Sequence, residues 1–179
     1  MSILYNSALK TDSNSPADTA RLARLSASLL QGGEIIFLRG PIGSGKTFFV
    51  REMVRSLGAG VLPVSASFAL CRHYRGKRLG LWHLDLFRLS TTETADLGLE
   101  DILSNPGDII AVEWPQAAEN YFSADRIEIA IALKRSDRRG IIIKSSGPLS
   151  ARFLAGLREK LAKNGLKFPQ PRPKRQNGK

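Results

Sequence analysis

The stretch IIFLRGPIGSGKTFFV, residues 35–50, constrains the fold more than any other part of the chain. Four consecutive apolar residues at 35–38 predict a strand buried on both faces, as at the centre of a parallel sheet. Residues 40–47 then read GPIGSGKT, a full match to the pattern G-x-x-x-x-G-K-[ST]. Phe49, Val50, Met53, Val54 and Leu57 recur with a helical period, and Gly58 and Gly60 close the segment. A buried strand entering a helix through a glycine-rich loop predicts an α/β architecture. The same spacing has a chemical reading. Gly40, Pro41, Ile42, Gly43, Ser44 and Gly45 form a turn whose backbone N–H groups can converge on oxyanions, and the helix N-terminus adds partial positive charge. Lys46 is placed to reach the β- and γ-phosphates of a nucleotide, and the Thr47 hydroxyl to ligate Mg²⁺.

The flanking sequence extends this core. Residues 2–5 (SILY) predict a short first strand. Ser15 and Pro16 open a helix with an apolar stripe of Leu22, Leu25 and Leu29, ended by Gly32 and Gly33. Residues 67–87 read as two strands around a basic RGK turn, and residues 91–105 as a short helical segment interrupted near Gly98. DIIAVEWP, residues 108–115, is a second buried strand stopped by Pro115. Residues 126–133 and 138–146 form an antiparallel pair, and an amphipathic helix carrying Phe153, Leu157 and Leu161 follows. Crossovers mixed with hairpins predict an α/β, P-loop NTPase-like sheet of mixed parallel and antiparallel direction, flanked by helices. A chain of 179 residues fits one such domain, here assigned to residues 1–163.

Composition narrows the setting. No apolar run approaches the roughly 18 residues needed to span a bilayer, and the N-terminus lacks the basic-then-apolar pattern of a secretory signal. One cysteine, Cys71, excludes an internal disulfide. The expected compartment is the cytoplasm, with no membrane contact. The net charge of +11 is unevenly spread: Lys163, Lys167, Arg172, Lys174, Arg175 and Lys179 lie near the C-terminus with no acid among them. Residues 164–179, rich in Pro, Gln, Asn and Gly, have the composition of a disordered basic tail. It reads either as a solubilising extension or as an arm that contacts RNA or a partner.

A nucleotide triphosphatase needs acids for the metal and for the attacking water, commonly from the C-terminal ends of neighbouring strands. Asp85 in WHLDLFRL and Glu113 at the end of IIAVE are the candidates. Glu113 closes an apolar run in the manner of a metal-side acid, while Asp85 also fits a surface carboxylate on an edge strand. His83 reads as structural rather than catalytic. Trp114 suits either the core or a lid over the nucleotide. Ser65 and Ser67 follow the loop helix where a γ-phosphate-sensing switch would sit, or else satisfy a turn.

Taken in order, GPIGSGKT, SASF, HLDLFRL, LGLED and VEWP resemble the TsaE (YjeE) family, the small P-loop ATPases of tRNA threonylcarbamoyladenosine (t6A) synthesis. The resemblance spans about residues 33–115, and HLDLFRL, LGLED and VEWP carry it, since the loop alone is widespread. It implies slow ATP hydrolysis with Mg²⁺, in the service of a TsaB–TsaD complex that modifies tRNA, with tRNA touched indirectly or weakly through the tail. Lys46, Asp85 and Glu113 then fall on catalytic positions, Thr47 and Glu113 on the metal side, Trp114 beside the nucleotide, and Ser67 on a switch-loop threonine. Three departures stand out. Ala66 replaces a proline, which loosens the loop; Phe48 replaces a threonine near the α-phosphate; and Phe87 replaces a tyrosine. Two rivals remain compatible with the sequence: a small P-loop kinase of a nucleoside or metabolite, and a nucleotide-gated scaffold with negligible hydrolysis.

Overall fold

The computed structural model describes residues 7–60, 70–95, 97–104 and 107–164. The SILY stretch and the tail beyond Asn164 lie outside these. The elements, in chain order, begin with β1 (Ser7–Ser13), α1 (Pro16–Ala27), β2 (Ile35–Arg39) and α2 (Lys46–Ser56). Then come the hairpin of β3 (Cys71–Arg75) and β4 (Gly80–Asp85), the short helices α3 (Thr91–Ala95) and α4 (Leu99–Leu103), and β5 (Ile109–Glu113). After two 3-10 turns, β6 (Ile127–Leu133), β7 (Arg139–Ser145) and α5 (Pro148–Lys163) complete the chain.

Local chemistry explains most boundaries. The Ser15 side chain accepts a hydrogen bond from the Asp18 N–H at 3.2 Å, with Pro16 in the first turn, so α1 starts where the sequence places it. Its buried face is Thr19, Ala20, Leu22, Ala23, Ser26 and Ala27, continued by Leu30 just beyond the helix, whereas Leu25 and Leu29 are half-buried. The interruption at Gly98 is real, since that residue takes the left-handed conformation between α3 and α4. The strand at Ser7–Ser13 has no counterpart in the sequence reading. Only Leu9 and Ser13 of its seven residues are buried, so its apolar alternation is too weak to register.

The described strands form one seven-stranded sheet in the order β1-β7-β6-β2-β5-β4-β3. The four central strands, β6, β2, β5 and β4, are mutually parallel, and antiparallel pairs close both sides. The innermost pair, β2 and β5, is buried on both faces, as continuous apolar runs require. Ile36, Leu38, Ala111 and Ile129 face α1, α2 and α5, while Ile35, Phe37, Ile110 and Val112 pack toward α4 and Phe122. Each fully buried aliphatic or Phe side chain contributes about 1.5–3 kcal/mol of hydrophobic stabilisation. Among the described residues no helix is long and apolar enough to cross a membrane.

Candidate functional site

From β2 the chain passes through α2 to β4 on one side, and from β5 it crosses to β6 on the other side of β2. The C-terminal end of β2 is therefore a topological switch point, where open α/β sheets form their ligand crevices. The glycine-rich loop leaves from that end. Strand register brings the two candidate acids to it: Leu38 pairs with Glu113, and Glu113 with Asp85. Asp85 is thus not on the sheet edge, because β3 lies outside β4. Alternation along β4 puts Leu81, His83 and Asp85 on the face covered by α2.

A cavity of about 530 Å³ opens there, lined by Ile42, Gly43, Lys46, Thr47, Asp85, Glu113 and Trp114 together with Leu70, Phe87, Arg88 and Leu89. Gly40, Pro41, Ser44 and Gly45 shape the loop behind this lining. Phe48 turns aside, its ring 5.1 Å from the Arg51 guanidinium carbon. Residues 65–67, the expected switch loop, lie outside the described residues.

Glu113 is 2% exposed and accepts from two donors, His83 Nε2 at 2.9 Å and the Thr47 hydroxyl at 3.1 Å. His83, itself buried, orients the acid instead of facing the cavity, in keeping with the structural role its sequence context suggests. Lys46 Nζ donates to the carbonyls of Gly40 at 2.9 Å and Pro41 at 3.1 Å, and sits 4.0 Å from the centre of the Trp114 ring. Burial pulls its pKa below the usual lysine value, while Glu113 and Asp85 pull the other way. Burial raises the pKa of Asp85 and the neighbouring Glu113 raises it further, against the Phe87 N–H, His83 and Lys46. Trp114 is half-buried with a left-handed φ of 56° and packs 4.9 Å from the Phe87 ring, so it walls the cavity and is not part of the core.

The donor set suits a phosphate chain with Mg²⁺. Gly45 at the N-cap of α2 offers no side-chain cap, which leaves that end to an anion. The Ser44 hydroxyl is buried with no hydrogen-bond partner among the described residues. One hydroxyl beside one carboxylate matches the way Mg²⁺ is held, through few protein ligands plus phosphates and water. Two contributors escape sequence reasoning. Arg139, at the start of β7, donates from Nε to the Ser44 carbonyl at 3.0 Å and so anchors the loop from two strands away. Arg88 lines the cavity from the turn after β4. Sequence distance hides the first; the second stands within HLDLFRL but has no signal of its own.

A family model described as threonylcarbamoyl adenosine biosynthesis protein TsaE matches residues 13–141. The tRNA threonylcarbamoyladenosine biosynthesis protein TsaE of Rickettsia conorii is 33% identical over 128 residues, covering 70% of this chain and 72% of its own length. The protein of that name from Bacillus subtilis is 30% identical over 139 residues, covering 78% and 87%. Among solved structures, the crystal structure of Bacillus subtilis YdiB superposes with a TM-score of 0.70 at 27% identity, over 89% of this chain and 97% of that one.

Proposed function

Because the chain belongs to the TsaE family of tRNA threonylcarbamoyladenosine biosynthesis proteins, we propose that it binds ATP and hydrolyses it to ADP and phosphate on behalf of a TsaB–TsaD type complex. The observation that carries this reading is the meeting of Lys46, Thr47, Asp85 and Glu113 around one cavity, at the end of the sheet where the glycine-rich loop begins.

In this reading the loop amides and the N-terminus of α2 hold the phosphates. Lys46 exchanges the Gly40 and Pro41 carbonyls for β- and γ-phosphate oxygens. Thr47 and Glu113 would hold Mg²⁺, which supplies neutralisation of phosphate charge. His83 fixes the rotamer of Glu113 through its hydrogen bond. Asp85, whose raised pKa makes it a better proton acceptor than an ordinary aspartate, orients the attacking water. The water oxygen bonds to the γ-phosphorus as that phosphorus parts from the bridging oxygen. The bonding pair leaves with ADP, and the water's proton passes through Asp85 to solvent. Trp114 and Phe87 shield one side of the cavity from water.

The test is phosphate release from ATP and Mg²⁺, with and without the TsaB–TsaD pair, beside a Lys46→Ala control. The expected result is slow release by the protein alone, a several-fold rise with the pair, and loss in the Lys46→Ala variant. Transfer of the γ-phosphate to a nucleoside or metabolite, or no turnover under any condition, would overturn it.

A further inference from the structure

We propose that Arg88 is a catalytic residue of this site, an arginine supplied by the same chain that contacts the γ-phosphate and stabilises the charge developing on it. The inference rests on the ATPase reading above and concerns a residue which that reading leaves without a task.

Three features of the structure point to it. The turn after β4 is pinned: the Leu86 N–H donates to the Glu113 carbonyl at 3.0 Å, the Phe87 N–H to Asp85 Oδ1 at 3.1 Å, and the Leu89 N–H to the Leu86 carbonyl at 3.1 Å. That turn holds Arg88 at φ 75°, a left-handed conformation an arginine adopts only under constraint. Among the described residues only Arg88, Trp114 and Ser136 are non-glycine residues with positive φ, and the first two line the cavity. Strain of this kind gathers at functional sites.

The second feature is what Arg88 touches. Its guanidinium lies 5.2 Å from the centre of the Phe87 ring, and no carboxylate among the described residues engages it. Arg39, which enters the glycine-rich loop from the end of β2, is by contrast paired with Glu119.

The third is the charge of the cavity. Lys46 faces both Asp85 and Glu113, so without Arg88 the lining carries more negative than positive charge. That is a poor place to bring a triphosphate. Arg88 restores the balance, and its planar fork suits two oxygens of one phosphoryl group. In phosphoryl transfer, negative charge spreads over the γ-oxygens and the leaving oxygen, and an arginine positioned there stabilises it.

The experiment compares wild type, Arg88→Ala and Arg88→Lys in phosphate release, in affinity for fluorescent ADP and ATP analogues, and in trapping of ADP with aluminium fluoride. Arg88 is exposed, so the variants should fold, and thermal melting verifies that. In Arg88→Ala we expect turnover to fall by about 10²–10³-fold, ADP affinity to stay within about twofold, and the ADP–aluminium fluoride complex to be lost. Arg88→Lys should recover part of the turnover. Wild-type turnover and trapping in Arg88→Ala would overturn the proposal. If wild type releases no phosphate, the ATPase reading fails separately; the Arg88 contact then stands or falls on whether Arg88→Ala weakens ATP binding while sparing ADP.

Discussion

Asp85 and Glu113 lie side by side at the ends of two parallel strands, yet their surroundings set them apart. Glu113 is enclosed between the Thr47 hydroxyl and His83, while Asp85 is half-buried and receives one backbone N–H. Burial, and then Glu113, raise the Asp85 pKa, so in the folded protein this carboxyl resists ionisation more than in the unfolded chain. A raised carboxyl pKa means that the folded state holds the extra proton. Stability from this group is therefore present at acid pH and is lost as pH rises from the ordinary aspartate value through the folded one. Asp85→Asn should melt higher than wild type at pH 7, the difference shrinking toward pH 4, and should lose turnover. Equal melting temperatures across that range would show that the site does not strain its own acid. Both acids are legible in the sequence because each ends a strand-like run. The grip of His83 on Glu113 is not, since it depends on the register that sets His83 opposite Ala111, two residue pairs short of the acids.

Glycines decide the geometry of the loop between β2 and α2. A Cβ on Gly40 would lie 2.2 Å from the Ile131 carbonyl oxygen and 2.8 Å from Ser44 Oγ, with φ at +147°. The carbonyl belongs to β6 and cannot move without disturbing the sheet. At Gly45 a Cβ meets nothing within 4 Å, and only the φ of +104° opposes substitution. Gly40→Ala should thus cost roughly 2 kcal/mol or more, from overpacking on top of strain. Gly45→Ala should cost about 1–2 kcal/mol, from backbone strain alone. Urea unfolding of the two variants checks this, and Gly45→Ala proving the worse would mean that the loop is not held against β6. The motif announces these glycines, and periodicity announces α2 and α5. Residues 126–133 read as a strand, but its place behind the loop is announced by neither, because the close approach of Ile131 comes from the parallel pairing of β2 with β6. The missed β1 is the same lesson at the sheet's margin: a strand held by its pairing with β7 does not need an apolar pattern.

At the scale of the whole molecule, the sheet order gathers the site while the charge lies elsewhere. The parallel centre of the sheet was readable from two continuous apolar runs; which strand neighbours which was not, because strand order depends on crossovers that leave no local trace. Two runs of basic residues stand apart in the sequence from those that line the cavity. One is the hairpin of β3 and β4, where Arg72, Arg75, Lys77 and Arg78 occur with no acid between them. The other is residues 164–179, with Lys167, Arg172, Lys174, Arg175 and Lys179. Either suits a polyanion, and salt dependence separates them, since each phosphate neutralised adds about 0.7–0.9 to the slope of log K against log salt. If the tail reaches tRNA, a chain ending at Lys163 should bind it more weakly, with a slope reduced by up to about 3.5–4.5, one increment for each of the five cations removed. Phosphate release in the absence of tRNA should be unchanged, because none of the cavity residues is lost. An unaltered slope in titrations across a salt series would assign the tail to solubility, and would leave the hairpin as the surface whose charge reversal should then flatten it.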